Sequence, residues 1–143
     1  MAQASRWPQL AACFARLGMP VAVVDLETTG GNMYEDRVTE VALLRFEGGK
    51  ITQHQWLVNP EQPISPFITR LTGIDNEMVA AAPTFAELAP TLLPLLRGTL
   101  VVAHNSRFDY TFLRHEFRRA GIPFAAPALC TVQLSRRLYP EFH

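Results

Sequence analysis

Val21-Ala22-Val23-Val24-Asp25-Leu26-Glu27-Thr28-Thr29-Gly30 is the stretch on which the fold turns. It opens as a continuous apolar run and ends in acids, the pattern of a central strand that surfaces at its carboxyl end. Thr29-Gly30-Gly31-Asn32 stops it. Side chains alternate along a strand, so Asp25 and Glu27 share one face and Leu26 takes the other. Two adjacent carboxylates repel, and near a buried strand end the repulsion is poorly screened. Either a divalent cation with oxygen ligands neutralises them, or the strand has already emerged into solvent at Asp25.

Downstream, Arg37 to Phe46 reads as a second strand, Glu47-Gly48-Gly49-Lys50 as a hairpin turn and Ile51 to Val58 as a third strand. A short helix is expected near Phe67 to Leu71. Thr84-Phe85-Ala86-Glu87 is a capping box. The helix it opens runs to about Leu96 and contains Pro90 and Pro94, which predict a kink or break. Thr99 to Ala103 reads as a fourth strand and Ser106 to Ala120 as a strongly patterned helix. Gly121 ends that helix and Pro123 follows. Ala128 to Thr131 supplies a short fifth strand, and Val132 to Tyr139 a helix closed by Pro140. Upstream, Pro8 to Leu17 reads as a short amphipathic helix. Three strands in succession imply an antiparallel meander, and strands arriving after helices can pair parallel. The result is an α/β fold, a mixed five-stranded sheet flanked by helices.

The chain has 143 residues, 48% of them hydrophobic and 18% charged, which fits one domain with a real core and excludes a disordered chain. No apolar run reaches the ~20 residues of a membrane span, and Met1 to Pro20 does not read as an export signal. Cys13 and Cys130 stand far apart with no CxxC, so a disulfide framework and a zinc site are not expected and a reducing cytoplasm is. The formal net charge of +0 hides a gradient. Residues 1–96 hold six basic and ten acidic residues, whereas residues 97–143 hold seven arginines and three acids. Lys50 is the one lysine among the 13 basic residues, and arginine is the better bidentate phosphate ligand.

His104-Asn105-Ser106-Arg107-Phe108-Asp109 falls where the fourth strand feeds its helix. Ser106 and Asp109 fit a helix cap with its box partner. If the fourth strand lies beside the first, Asp109 also hangs over the strand ends that carry Asp25 and Glu27, at the carboxyl edge where open α/β sheets place their sites. His104 reads as a hydrogen-bonded strand-end residue, His115 as a helix-surface residue, and Phe108, Phe112 and Phe117 as core.

Taken in order, Asp25-Leu26-Glu27-Thr28-Thr29-Gly30, Glu35-Asp36-Arg37-Val38-Thr39-Glu40-Val41, Val58-Asn59-Pro60, Leu71-Thr72-Gly73-Ile74 and His104-Asn105-Ser106-Arg107-Phe108-Asp109 resemble the DEDD-type 3′→5′ exonucleases. The branch resembled is that of the proofreading epsilon subunit of bacterial DNA polymerase III, over about Val21 to Tyr139. The resemblance implies a ribonuclease-H-like fold, with residues 1–20 an N-terminal extension and 21–143 the exonuclease domain. It implies that Asp25, Glu27 and Asp109 hold two Mg²⁺ or Mn²⁺ ions at the scissile phosphate, acting by a two-metal mechanism. It implies that Thr28, Thr29, Leu71, Thr72, Asn105 and Phe108 shape the pocket for the terminal nucleotide. The implied substrate is a single-stranded or frayed DNA 3′ end, and the implied partner is a polymerase or a fused nuclease module.

The family's third motif, His-x-x-x-x-Asp, is absent after Asp109, so the fourth carboxylate and the histidine base have no counterpart here. The expectation is a C-terminally truncated fragment of a longer exonuclease, with low activity as it stands. The other readings are a natural short protein that binds nucleotides or partners without cutting, and an RNA-directed exonuclease.

Overall fold

The structure is a computed structural model that describes residues 7–138. Its elements are α1 (Trp7–Ala15), β1 (Val21–Thr28), β2 (Val38–Glu47), β3 (Lys50–Leu57), α2 (Pro66–Thr72), α3 (Asn76–Ala80), α4 (Phe85–Leu96), β4 (Leu100–Ala103), α5 (Ser106–Arg119), β5 (Ala128–Cys130) and α6 (Thr131–Leu138). The expected stop at Pro140, the terminal His143 and the last residue of the final predicted helix lie outside the described residues.

The five strands form one sheet in the order β3-β2-β1-β4-β5. β1, β2 and β3 pair antiparallel, and β4 and β5 join parallel beside β1. The meander followed by parallel additions is therefore as the sequence predicts. Gly48 and Gly49 turn the β2–β3 hairpin with φ of 56° and 80°, a pair of left-handed residues that suits the twist of the strands it joins.

One face of the sheet is the main core. Ala22, Val24 and Leu26 of β1 pack with Val41 and Leu43 of β2, and α4 and α5 cover them with Phe85, Leu92, Phe112 and Phe117. Among the described residues the other face is covered at one end only, where Phe14 of α1 meets Phe46 edge-on at 5.0 Å. Away from that contact β1 presents the exposed Asp25 and the half-buried Glu27 on the same face.

Of the kink or break expected at Pro90 and Pro94, the break does not occur: α4 is one uninterrupted helix from Phe85 to Leu96 with both prolines inside it. Pro90 and Pro94 are one turn apart on its exposed side, so the carbonyls that lose an N–H partner face water, while Leu88, Ala89, Leu92 and Leu96 hold the inner side. α3 is a further helix, over residues for which the sequence predicts no element. It is too short to show periodicity, and Asp75 caps it by accepting from Met78 N at 2.8 Å.

Candidate active site

The site is built at the carboxyl end of β1. Asp25 lies opposite Ala42, and Glu27 opposite Glu40. Directly paired residues share a face, so Asp25, Glu27 and Glu40 project together from the open side of the sheet. The register between β1 and β2 then slips: Glu27 pairs with Glu40 but Thr28 with Val38, leaving Thr39 as the unpaired residue of a β-bulge. Such bulges turn a strand end and re-aim its side chains. A cleft of about 200 Å³ runs beside Asp25 between Ala42, Leu44, Gln53 and Gln55.

Asp109 comes to the same edge from the first turn of α5. The expected cap made by Ser106 with Asp109 as its box partner is not how this helix begins. Asn105 occupies the N-cap position and makes no side-chain cap bond. Asp109 instead accepts a hydrogen bond from the backbone of Leu26, between the two acids of β1. Its side chain is turned from its own helix to the sheet because the parallel pairing of β4 with β1 puts the start of α5 over the end of β1.

Electrostatics record the convergence. Burial first, then the neighbouring Asp25 and Glu27 carboxylates, lift Asp109 to about 7, against the pull of the Leu26 hydrogen bond. Burial likewise raises Glu27, with Asp25 and Glu40 adding to it. No described salt bridge involves any of these four acids. Among the described residues no three His, Cys, Asp or Glu side chains close into a cage around one point. The acids form a wall of hard oxygen donors with no ion-paired side-chain cation among the described residues, which fits a divalent ion that also takes ligands from water or a phosphate.

The loop after β1 is tied down tightly. The Thr29 hydroxyl stands 2.5 Å from Gln62 Oε1 and 3.2 Å from Asp36 Oδ1, and it accepts from Arg37 N at 3.0 Å. Thr29 N in turn donates to Arg37 O at 2.8 Å. Gln62 Nε2 donates to Glu35 O at 2.9 Å, which fixes the amide. Gly30 is required here by close approach, because a Cβ would stand 2.4 Å from Asp36 Oδ2. The same loop is anchored to α5. The Arg37 guanidinium bonds both Glu116 oxygens, at 2.6 and 3.3 Å, and Arg119 reaches Glu116 at 2.5 Å and Tyr34 O at 2.8 Å.

The remaining predicted residues fall in two groups. Thr28 and Thr29 are buried beside the acids, and the Thr28 hydroxyl donates to Gly30 O at 2.6 Å. Asn105 is exposed at the start of α5, and Phe108 is half-buried one position before Asp109, packed on Phe112 at 4.6 Å. Leu71 and Thr72 sit on α2. The Thr72 hydroxyl donates to Ile68 O at 2.9 Å, while Leu71 is 70% exposed. α2 is seated through Ile68 on the small cluster of Ile64, Ile74 and Val79. Two residues escaped the sequence reading of the site. Glu40 was legible in the alternation of β2, once the register with β1 was known. Phe67, 63% exposed and one turn before Leu71, was legible as an i, i+4 apolar pair. Of the histidines weighed in the sequence, His104 is exposed and within 3.0 Å of the Thr131 hydroxyl, and His115 packs edge-on against Tyr34 at 5.0 Å.

A mixed five-stranded sheet with acids at the carboxyl end of its central strand, joined by an acid from the helix after β4, is the arrangement of the ribonuclease-H-like nuclease fold. The profile of the exonuclease family RNase T matches residues 22–143, and the chain belongs to that family. It is homologous to DEDD-type 3′→5′ exonucleases and proofreading subunits. It is 39% identical over 120 residues to the PolC-type DNA polymerase III of Caldanaerobacter subterraneus subsp. tengcongensis, covering 83% of this chain and 9% of that protein. It is 37% identical over 120 residues to the DNA polymerase III subunit epsilon of Aquifex aeolicus, covering 82% of this chain and 59% of that protein. Among solved structures, exonuclease X in complex with 5′ overhanging duplex DNA superposes with a TM-score of 0.63 at 30% identity, covering 84% of this chain and 64% of that one. The chain thus spans less than two thirds of each of these proteins. Among the described residues no helix is long and apolar enough to cross a membrane.

Proposed function

We propose that residues 21–143 form a divalent-metal-dependent exonuclease domain that removes nucleotides from DNA 3′ ends, in proofreading or repair within the cytoplasm. The observation that carries this reading is the convergence of Asp25, Glu27 and Asp109 from two elements, where burial first, and then the Asp25 and Glu27 carboxylates, lift Asp109 to about 7. Carboxylates are costly to hold together unless a cation is part of the design. Asp25, Glu27 and Asp109 are the residues that would hold Mg²⁺ or Mn²⁺, one ion or two. Such ions supply Lewis-acid stabilisation of the phosphate and a more acidic attacking water.

The chain's own residues do the rest. The Leu26 hydrogen bond orients Asp109 toward the β1 acids. Thr28 and Thr29 form a rigid floor beside the acids, since their hydroxyls are already spent on Gly30, Gln62 and Asp36. Leu71 and Thr72 on α2, with Asn105 and Phe108 at the start of α5, receive the terminal nucleotide, and the exposed Leu71 offers an apolar surface to its base. The family membership and the polymerase relatives favour DNA, and a polymerase as the associated protein.

The test pairs a cutting assay with a binding assay on the same chain. A 5′-labelled single-stranded DNA is incubated with Mn²⁺ beside a matched RNA, while Mn²⁺ is titrated against wild type and Asp25→Ala. Shortening from the 3′ end, faster on DNA, with Mn²⁺ stabilising wild type more than the variant, is the expected result. An intact oligonucleotide together with equal Mn²⁺ responses in both proteins would leave a non-catalytic binding module as the better description.

A further inference from the structure

The outer side of α5 carries a feature that the carboxylate site does not use. At 3.6 residues per turn, Arg107, Thr111, Arg114 and Arg118 fall on one line along the helix, and the three arginines are exposed. Both acids of α5 face the other way, with Asp109 6% and Glu116 1% exposed. The outward face is therefore of one sign in a chain whose formal net charge is +0. No described ion pair involves Arg107, Arg114 or Arg118, whereas Arg119, one residue on, is committed to Glu116.

Arg114 and Arg118 also form the common wall of two surface clefts. One, of about 270 Å³, is completed by Tyr34, Tyr110 and His115. The other, of about 430 Å³, runs along the Ile122–Ala125 segment. Tyr34 is 74% exposed, and its ring is held edge-on by His115. Guanidinium groups beside a fixed, exposed aromatic ring match a phosphate backbone whose bases stack. An acidic peptide would satisfy the charges and leave the ring without a role.

We propose that this face of α5 binds the backbone of single-stranded nucleic acid, holding the strand several nucleotides upstream of its 3′ end. The line from Arg107 to Arg118 is about 16 Å long at 1.5 Å per residue, the reach of a few nucleotides. The arginines and Asp109 are on opposite sides of the helix. A strand that engages both passes around the first turn of α5, where Arg107 stands. This deepens the exonuclease reading and rests on it for the location of the 3′ end.

The experiment compares wild type with the Arg114→Glu/Arg118→Glu double variant, and with Arg114→Gln/Arg118→Gln as a milder control of folding. Each is titrated without divalent ions against labelled oligothymidylates of about 20 and about 3 nucleotides at several salt concentrations. The expected result is a loss of tenfold or more in affinity of the charge-reversed protein for the long strand. Its slope of log affinity on log salt should be shallower by about 1 to 2, with the glutamine protein in between and the trinucleotide unaffected. Equal affinity and slope for the long strand in all three proteins would overturn the proposal. So would capture of polyglutamate by wild type with no affinity for the long strand. If the long strand binds through these arginines while Mn²⁺ produces no shortening, the exonuclease reading fails and the surface stands. If shortening occurs equally in wild type and the double variant, and binding is equal too, the surface fails and the exonuclease reading stands.

Discussion

Arg37 Nε lies 2.6 Å from Glu116 Oε1, joining the residue that precedes β2 to the last turn of α5. Glu116 is 1% exposed and accepts from both Arg37 and Arg119. Arg37 in turn exchanges two hydrogen bonds with Thr29, two positions after Glu27. The ion cluster thus fastens the helix that carries Asp109 to the strand that carries Asp25 and Glu27, against the repulsion among the three.

Glu116→Ala leaves two guanidiniums without their shared partner, one of them largely buried. Breaking a buried pair from one side costs about 3–5 kcal/mol. The expected loss is about 3 kcal/mol, read from the shift of the urea midpoint, and the single variants Arg37→Ala and Glu116→Ala should be less than additive in a double-mutant cycle.

The metal-free protein should lose stability as pH rises from about 4 to about 8. Asp109 has a folded pKa of about 7, above the ordinary value of 3.8, so the folded state holds a proton that the unfolded state has already released. Its contribution is fully present below about pH 4 and lost as pH passes through 7, and Glu27 acts in the same direction. Asp109→Asn should flatten the thermal midpoint across this window. A midpoint that still falls as steeply in the variant would contradict the assignment.

Above pH 7 the same repulsion should be relieved by a divalent ion. At a hundredfold excess of Mn²⁺ over its dissociation constant, linkage gives about 2.7 kcal/mol of stabilisation. Thermal melts should show it in wild type, reversed by a chelator, and reduced in Asp25→Ala and Glu27→Ala. Glu40→Gln tests the acid opposite Glu27: a smaller Mn²⁺ response than wild type would place it among the groups that feel the ion.

Leu71→Ala should separate binding from folding. The side chain is 70% exposed, so stability should stay within about 0.5 kcal/mol of wild type. If Leu71 receives the terminal base, KM for an oligonucleotide should rise severalfold with kcat changed less. The Phe67→Ala variant is expected to behave alike, and unchanged kinetics in both would remove α2 from the substrate site.

Much of this was legible in the chain itself. The apolar run ending in Asp25-Leu26-Glu27 sets a central strand with two acids on one side, because a strand's period of two is local and inescapable. The Gly48-Gly49 turn sets the hairpin, and Thr84 with Glu87 sets the start of α4. The ordered motifs pointed to the exonuclease family, and residues 22–143 match it. Local rules also misled. Pro90 and Pro94 predicted a kink or a break, and the break does not occur in a helix held by core packing; Ser106 was expected at the N-cap position, which Asn105 occupies.

What the tertiary structure alone decided is which distant residues share a space. Sequence periodicity assigns a side chain to a face, but not the neighbour it meets there. Glu40 stands opposite Glu27 only because the β1–β2 register and its bulge put it there. Asp109 turns to Leu26 only because β4 pairs parallel with β1. Arg37 and Glu116, 79 positions apart, meet only when α5 packs on the main core. Their separation lies beyond the reach of any helical or strand repeat, and a buried charge finds its partner only in the folded chain.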